Sequence, residues 1–301
     1  MSIQNPIPAD VPKEKIKIFQ SNFNRATGGS GRLMLFAGDQ KVEHMNSDFA
    51  GKNIPADDAH PLHLFQIAAK AKVGVFAVQL GLIIRYGKQF PDLPYLVKLN
   101  SKTNLVSVEQ NDPVGKAWYT VEQVVNFSKQ SKINIIGVGY TVYLGSEHEA
   151  EMLTEAAQIV HQAHLNGMLT VLWIYPKGKA ISNEHDADLI AGAAGVANCL
   201  GADFVKLKIP FVKEKYHPDL LKKIVVAAGN TGVLCEGGAK EYPGKFLNDL
   251  HHQIHVQKTR GNGTGRNIHQ NKLSDAVKMA NAIYAITVEN KSVKEALKMI
   301  K

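Results

Sequence analysis

The chain has 301 residues, 45% of them hydrophobic and 21% charged, with a formal net charge of +8, which is a globular composition long enough for one large core or two smaller ones. No apolar run approaches the roughly 20 residues of a spanning helix, and the opening "MSIQNPIPADVPKEKIK" lacks the apolar centre of a secretory signal, so a soluble, cytoplasmic protein is expected. Two isolated cysteines, Cys199 and Cys235, make neither a CxxC pair nor a disulfide framework, and the basic balance favours anionic ligands without choosing among nucleic acid, membrane surface and phosphorylated metabolites.

Residues 1–28 read as an irregular N-terminal extension and 29–301 as a single domain. Short apolar runs then recur at 32–39, 73–83, 94–100, 133–143, 169–176, 202–210 and 232–238, several rich in β-branched or aromatic residues and ending in turn formers. Helical patterns lie between and after them at 149–166, 186–200, 214–228, 272–287 and 291–300, with Gly167 and Gly201 where C-caps are expected. Strands alternating with helices predict a parallel sheet covered by helices, and a possible eighth strand near 258–264 brings the count to a (β/α)8 TIM barrel. A doubly wound open sheet is the alternative, but it calls for GxGxxG after the first strand, where this chain has "GDQKVEH".

The run "GADFVKLKIP" (201–210) places two amines in a buried strand. Side chains alternate, so Phe204, Lys206 and Lys208 share one face, which in a barrel is the interior near the C-terminal mouth where barrel enzymes keep their chemistry. Burial and a second amine nearby both favour the neutral, nucleophilic form that attacks a ketone to give a Schiff base. Lys98 in "YLVKLN" is a third strand lysine. On the preceding strand Trp173, Tyr175 and Lys177 share a face, offering a phenol for proton transfer and a cation for a phosphate. Asp39 closes the first strand and "QKVEH" brings His44 to the same rim, while "CEGGAK" and "GNGTGRNIHQ" follow strands seven and eight, the usual barrel phosphate position.

In this order and at this spacing, "GDQKVEH", "WIYPKGK", "GADFVKLKIP", "EGG" and "GRNIHQ" resemble the archaeal-type class I fructose-bisphosphate aldolases of the DhnA/DeoC/LacD group, over about residues 30 to 290. The resemblance implies a (β/α)8 barrel whose Schiff-base lysine is Lys206 rather than Lys208, with Tyr175 as the proton-transfer residue and Asp39 closing strand one. It implies a substrate and phosphate site at His44, Trp173, Lys177, Gly237, Gly238, Gly265 and Arg266. The substrate would be a phosphorylated sugar, most simply fructose 1,6-bisphosphate, with no cofactor and no metal, in a homo-oligomer that binds neither nucleic acid nor membrane. Lys177 stands where that group usually has arginine, Glu236 where a small serine is common, and "GNGTG" is more polar than the usual eighth strand, leaving that strand open.

Other readings are a related lysine-dependent aldolase, transaldolase or thiolase-type enzyme on another phosphorylated sugar. A zinc-dependent aldolase would need converging histidines and carboxylates, but "HPLH" (60–63) and "LHHQIH" (250–255) lie away from the strand ends. A basic RNA-binding or scaffolding protein would want basic residues interleaved with aromatics, and no such run occurs.

Overall fold

A computed structural model describes residues 7–105, 112–212 and 215–301. Eight parallel strands close into a barrel: β1 (Leu33–Ala37), β2 (Val75–Gln79), β3 (Tyr95–Lys98), β4 (Ile135–Leu144), β5 (Leu169–Pro176), β6 (Phe204–Leu207), β7 (Gly232–Glu236) and β8 (Gly261–Thr264), with β8 paired to both β7 and β1. Alternation along each strand sorts two apolar layers. Leu35, Ala77, Leu96, Val171, Phe204 and Leu234 fill the interior, while Phe36, Phe76, Val205 and Leu207 face the surrounding helices. Among the described residues no helix is long and apolar enough to cross a membrane.

The polar run left open is a strand. Gly261 holds φ +139°, and a Cβ there would lie 1.9 Å from the Leu33 carbonyl oxygen, so only glycine lets β8 approach β1. A Cβ on Gly263 would lie 2.7 Å from Cδ and Cε of Lys206. The outward side chains stay satisfied, because Thr264 Oγ1 donates to Asn262 Oδ1 and Asn262 Nδ2 donates to Thr287 Oγ1 of the covering helix Leu273–Thr287. The strand is polar because its inner face must make room and its outer face is hydrogen-bonded.

The segment expected to be irregular contains a helix, Ile16–Thr27, whose residues 1–6 upstream lie outside the described chain. Its Phe19 and Phe23 are buried against the barrel interior, Phe23 stacking on Phe204 at 5.9 Å with the Arg260 guanidinium 5.3 Å from the Phe204 centroid. Phe19 and Phe23 recur with helical spacing and close the barrel's N-terminal end. Two further differences are local. The run 73–83 splits into β2 and a helix Leu80–Tyr86, a short apolar run having no period of its own, and the helix expected from 214 begins at Leu221 after a turn at Pro218–Leu220. The helices Glu149–Leu165 and Ala187–Cys199 end before Gly167 and Gly201, both at positive φ as their C-cap role requires.

Candidate active site

The β5–β6 register sets Trp173 opposite Lys206, so Tyr175 stands one inward step closer to the mouth. Lys206 is only 6% exposed, and its Nζ donates to the Tyr175 hydroxyl at 3.1 Å. Burial, then the charges of Glu236, Glu43 and Asp39, hold the Tyr175 phenol well above its ordinary value, so it keeps a proton to give. Trp173 lies beneath, with Lys206 Nζ 5.8 Å and Lys98 Nζ 5.0 Å from its ring centroid.

Asp39 follows β1 and precedes a short helix, Gln40–Glu43, without capping it through its side chain. Its carboxyl is buried, and Oδ1 has no hydrogen-bond partner among the described residues. Burial and then Glu43 raise the Asp39 carboxyl above the usual carboxylate range, only partly offset by Lys98 and Lys206. Glu43 goes the other way. Burial works against its ionisation, but Lys98, Lys206 and the hydrogen bonds from Lys98 and Ser101 outweigh it and lower its value. Two neighbouring carboxyls pushed apart in this way give a site both an acid and a fixed anion.

A cavity of about 160 Å³ at the C-terminal mouth is bordered by Asp39, His44, Tyr175, Lys177, Lys206, Gly237, Gly238, Gly265 and Arg266, together with Gln40, Glu43, Lys102, Tyr143, Lys208 and Glu236. Every sequence-predicted site residue except Trp173 therefore meets at one opening. A larger cavity, about 590 Å³, opens at the other end beside Arg25, Lys72, Asp92 and Glu289, but these are exposed surface charges and no buried nucleophile lies there.

Three details differ from the sequence reading. Lys208 lies beyond β6 and is ion-paired with Glu184, so its charge is already compensated, and the second amine beside Trp173 is the fully buried Lys98. The Gly237 N–H is used by the sheet, donating to the Gly263 carbonyl at 3.0 Å, which leaves Gly238, Gly265 and the side chains to meet an anion. Arg266 and His44 share Asp48, at 3.7 and 2.6 Å respectively. Sequence reasoning missed Glu43 and underused Lys98, although Lys98 sits at the same inward parity as Leu96 and Glu43 lies inside the quoted "QKVEH". Among the described residues, no group of three or more His, Cys, Asp or Glu side chains can hold a metal ion. His63 Nε2 instead donates to the His269 carbonyl and His255 Nε2 to that of Ile286.

Known proteins with this arrangement are similar along nearly the whole chain. The family profile described as DeoC/LacD family aldolase matches residues 33–271. A protein of Methanocaldococcus jannaschii named fructose-bisphosphate aldolase/6-deoxy-5-ketofructose 1-phosphate synthase is 50% identical over 97% of this chain and 93% of its own. The solved fructose-bisphosphate aldolase from Slackia heliotrinireducens superposes with a TM-score of 0.95 at 48% identity, covering 100% of this chain and 95% of that one. An archaeal fructose-1,6-bisphosphate aldolase solved with its catalytic Lys covalently bound to the carbinolamine intermediate gives 0.74 at 29% identity, over 90% and 99%.

Proposed function

The chain belongs to the DeoC/LacD family of aldolases, and from that premise we propose that Lys206 is the Schiff-base nucleophile of a class I aldolase acting on fructose 1,6-bisphosphate. The observation that carries the assignment is the buried Lys206 amine hydrogen-bonded to the Tyr175 hydroxyl in the mouth cavity, with the buried Asp39 carboxyl bordering the same space. The amine adds to the substrate ketone, water leaves, and the resulting iminium draws electrons from the adjacent carbon–carbon bond as it breaks. Tyr175 would relay a proton, giving its own to the carbanion that remains while accepting that of the hydroxyl on the departing carbon. Lys177, Gly238, Gly265 and Arg266 border the same cavity as candidate phosphate ligands.

A second substrate follows from one observation. The Glu236 carboxylate borders the cavity beside the glycines and would repel a phosphate brought against it, so one end of the site suits a sugar without a phosphate there. The relative named a 6-deoxy-5-ketofructose 1-phosphate synthase is named for a sugar of that kind.

Borohydride reduction in the presence of dihydroxyacetone phosphate, followed by peptide mass mapping, should label Lys206 alone, and Lys206→Met should abolish labelling. A label on Lys98 or Lys208, or persistent labelling of Lys206→Met, overturns the assignment. Comparing fructose 1,6-bisphosphate with fructose 1-phosphate then reports how many phosphates the site holds.

A further inference from the structure

The fully buried Lys98 does not border the cavity, yet it sits close to the chemistry. Its ammonium donates to the Asn100 carbonyl at 2.8 Å and to Glu43 Oε1 at 3.2 Å. Ser101 Oγ donates to the same Oε1 at 3.0 Å, so Glu43 is held through one oxygen by two donors from β3 and the loop after it. The Glu43 side chain remains 19% exposed and borders the cavity together with Lys206 and Asp39. A buried ion pair is costly to desolvate and is weak evidence for stability as such, so its place beside a reacting nitrogen asks for another reason.

We propose that Glu43 is the fixed charge partner of the iminium formed on Lys206 and that Lys98 is the positioning residue holding it there; this rests on the Schiff-base reading above. The charge balance makes the need explicit. The neutral Lys206 amine adds to the ketone carbon and its proton passes to the carbonyl oxygen, giving a carbinolamine. Asp39 protonates that hydroxyl, water leaves, and the nitrogen lone pair forms the C=N⁺ bond while Asp39 becomes a carboxylate. One cation and one anion have appeared in a buried space. Glu43 favours the positive nitrogen and disfavours a second carboxylate at Asp39, which recovers its proton from the water that later adds to and hydrolyses the iminium. Lys98 keeps Glu43 ionised and in place without meeting the substrate. The directions in which burial and neighbours move Asp39 and Glu43 agree with this division of roles.

The test measures the fraction of chains trapped by borohydride at saturating dihydroxyacetone phosphate. Removing the counter-charge should lower that fraction, or the rate of reaching it, about 10- to 100-fold in Glu43→Gln. Lys98→Met should fall by the same factor, and the Lys98→Met/Glu43→Gln double variant no further, because the two side chains act as one unit. The double variant carries no unpaired buried charge, so it reports even if Lys98→Met alone fails to fold. A wild-type protein unlabelled at Lys206 sinks the aldolase reading itself. Normal wild-type labelling with unchanged trapping in Glu43→Gln and in the double variant overturns the counter-charge alone.

Discussion

Lys206 and Tyr175 share one hydrogen bond but have separable tasks in the proposed mechanism, in which the amine forms the covalent intermediate and the phenol moves protons around it. Tyr175→Phe should therefore still be trapped at Lys206 while turnover falls by roughly 10²–10⁴; full activity would leave Tyr175 as a packing residue. A second residue-scale expectation comes from Asp48, whose carboxylate is shared by Arg266 and His44. A phosphate arriving at Arg266 must compete with it. Asp48→Asn should lower the KM for fructose 1,6-bisphosphate by about 2- to 5-fold, the scale of a half-exposed ion pair. Arg266→Ala should raise it by roughly 10- to 150-fold, the worth of a charged hydrogen bond. A higher KM in Asp48→Asn would show that Asp48 aims Arg266 rather than competing for it. These contacts were not legible in the sequence, because Asp48 and Arg266 are 218 positions apart and nothing in either segment names the other.

At the scale of elements, β8 shows how a strand can be specified by what it lacks. Its glycines depart from ordinary strand composition, and only the neighbouring strands explain them: β1 presses against Gly261 and the Lys206 stem occupies the space over Gly263. Gly263→Ala should therefore leave the barrel folded, at an overpacking cost of about 1–3 kcal/mol, while displacing the Lys206 stem and lowering borohydride trapping about tenfold or more. Circular dichroism with a melting curve separates the two effects. Unchanged trapping would mean that the amine reaches the ketone by another rotamer. The alternation in β5 and β6 was legible because period-2 patterning is local. The helix Ile16–Thr27 was not, because its two phenylalanines register as an amphipathic stripe only once the open barrel end they cover is known.

Across the whole molecule, the N-terminal segment is tied to the barrel through His164, which is buried between Asp10 (2.8 Å) and Asp203 (3.3 Å). Burial opposes protonation of this imidazole, but the hydrogen bond and charge of Asp203, then those of Asp10, overcome it and raise its value above the ordinary 6.5. A raised folded value means that the contribution to stability is fully present below 6.5 and is lost as pH rises through the folded value. The melting-temperature difference between the wild type and Asp10→Asn should accordingly be largest near pH 6 and shrink as the solution becomes more alkaline. A difference independent of pH would show that His164 is held neutral. The order of the first seven strands, and with it the barrel class, was determined by the sequence alone, because hydrophobic period and turn residues act over a few positions. The lysine on β6, the tyrosine on β5 and the glycine turns after strands seven and eight could be assigned to the mouth for the same reason, since barrel topology sends every strand's C-terminal end to one face. Only the tertiary structure decided which charges meet there. It joined Lys98 to Glu43, gave Lys208 to Glu184 and Arg266 to Asp48, and left Asp39 Oδ1 without a hydrogen-bond partner among the described residues, because electrostatic pairing depends on distances of a few ångströms between residues far apart in the chain.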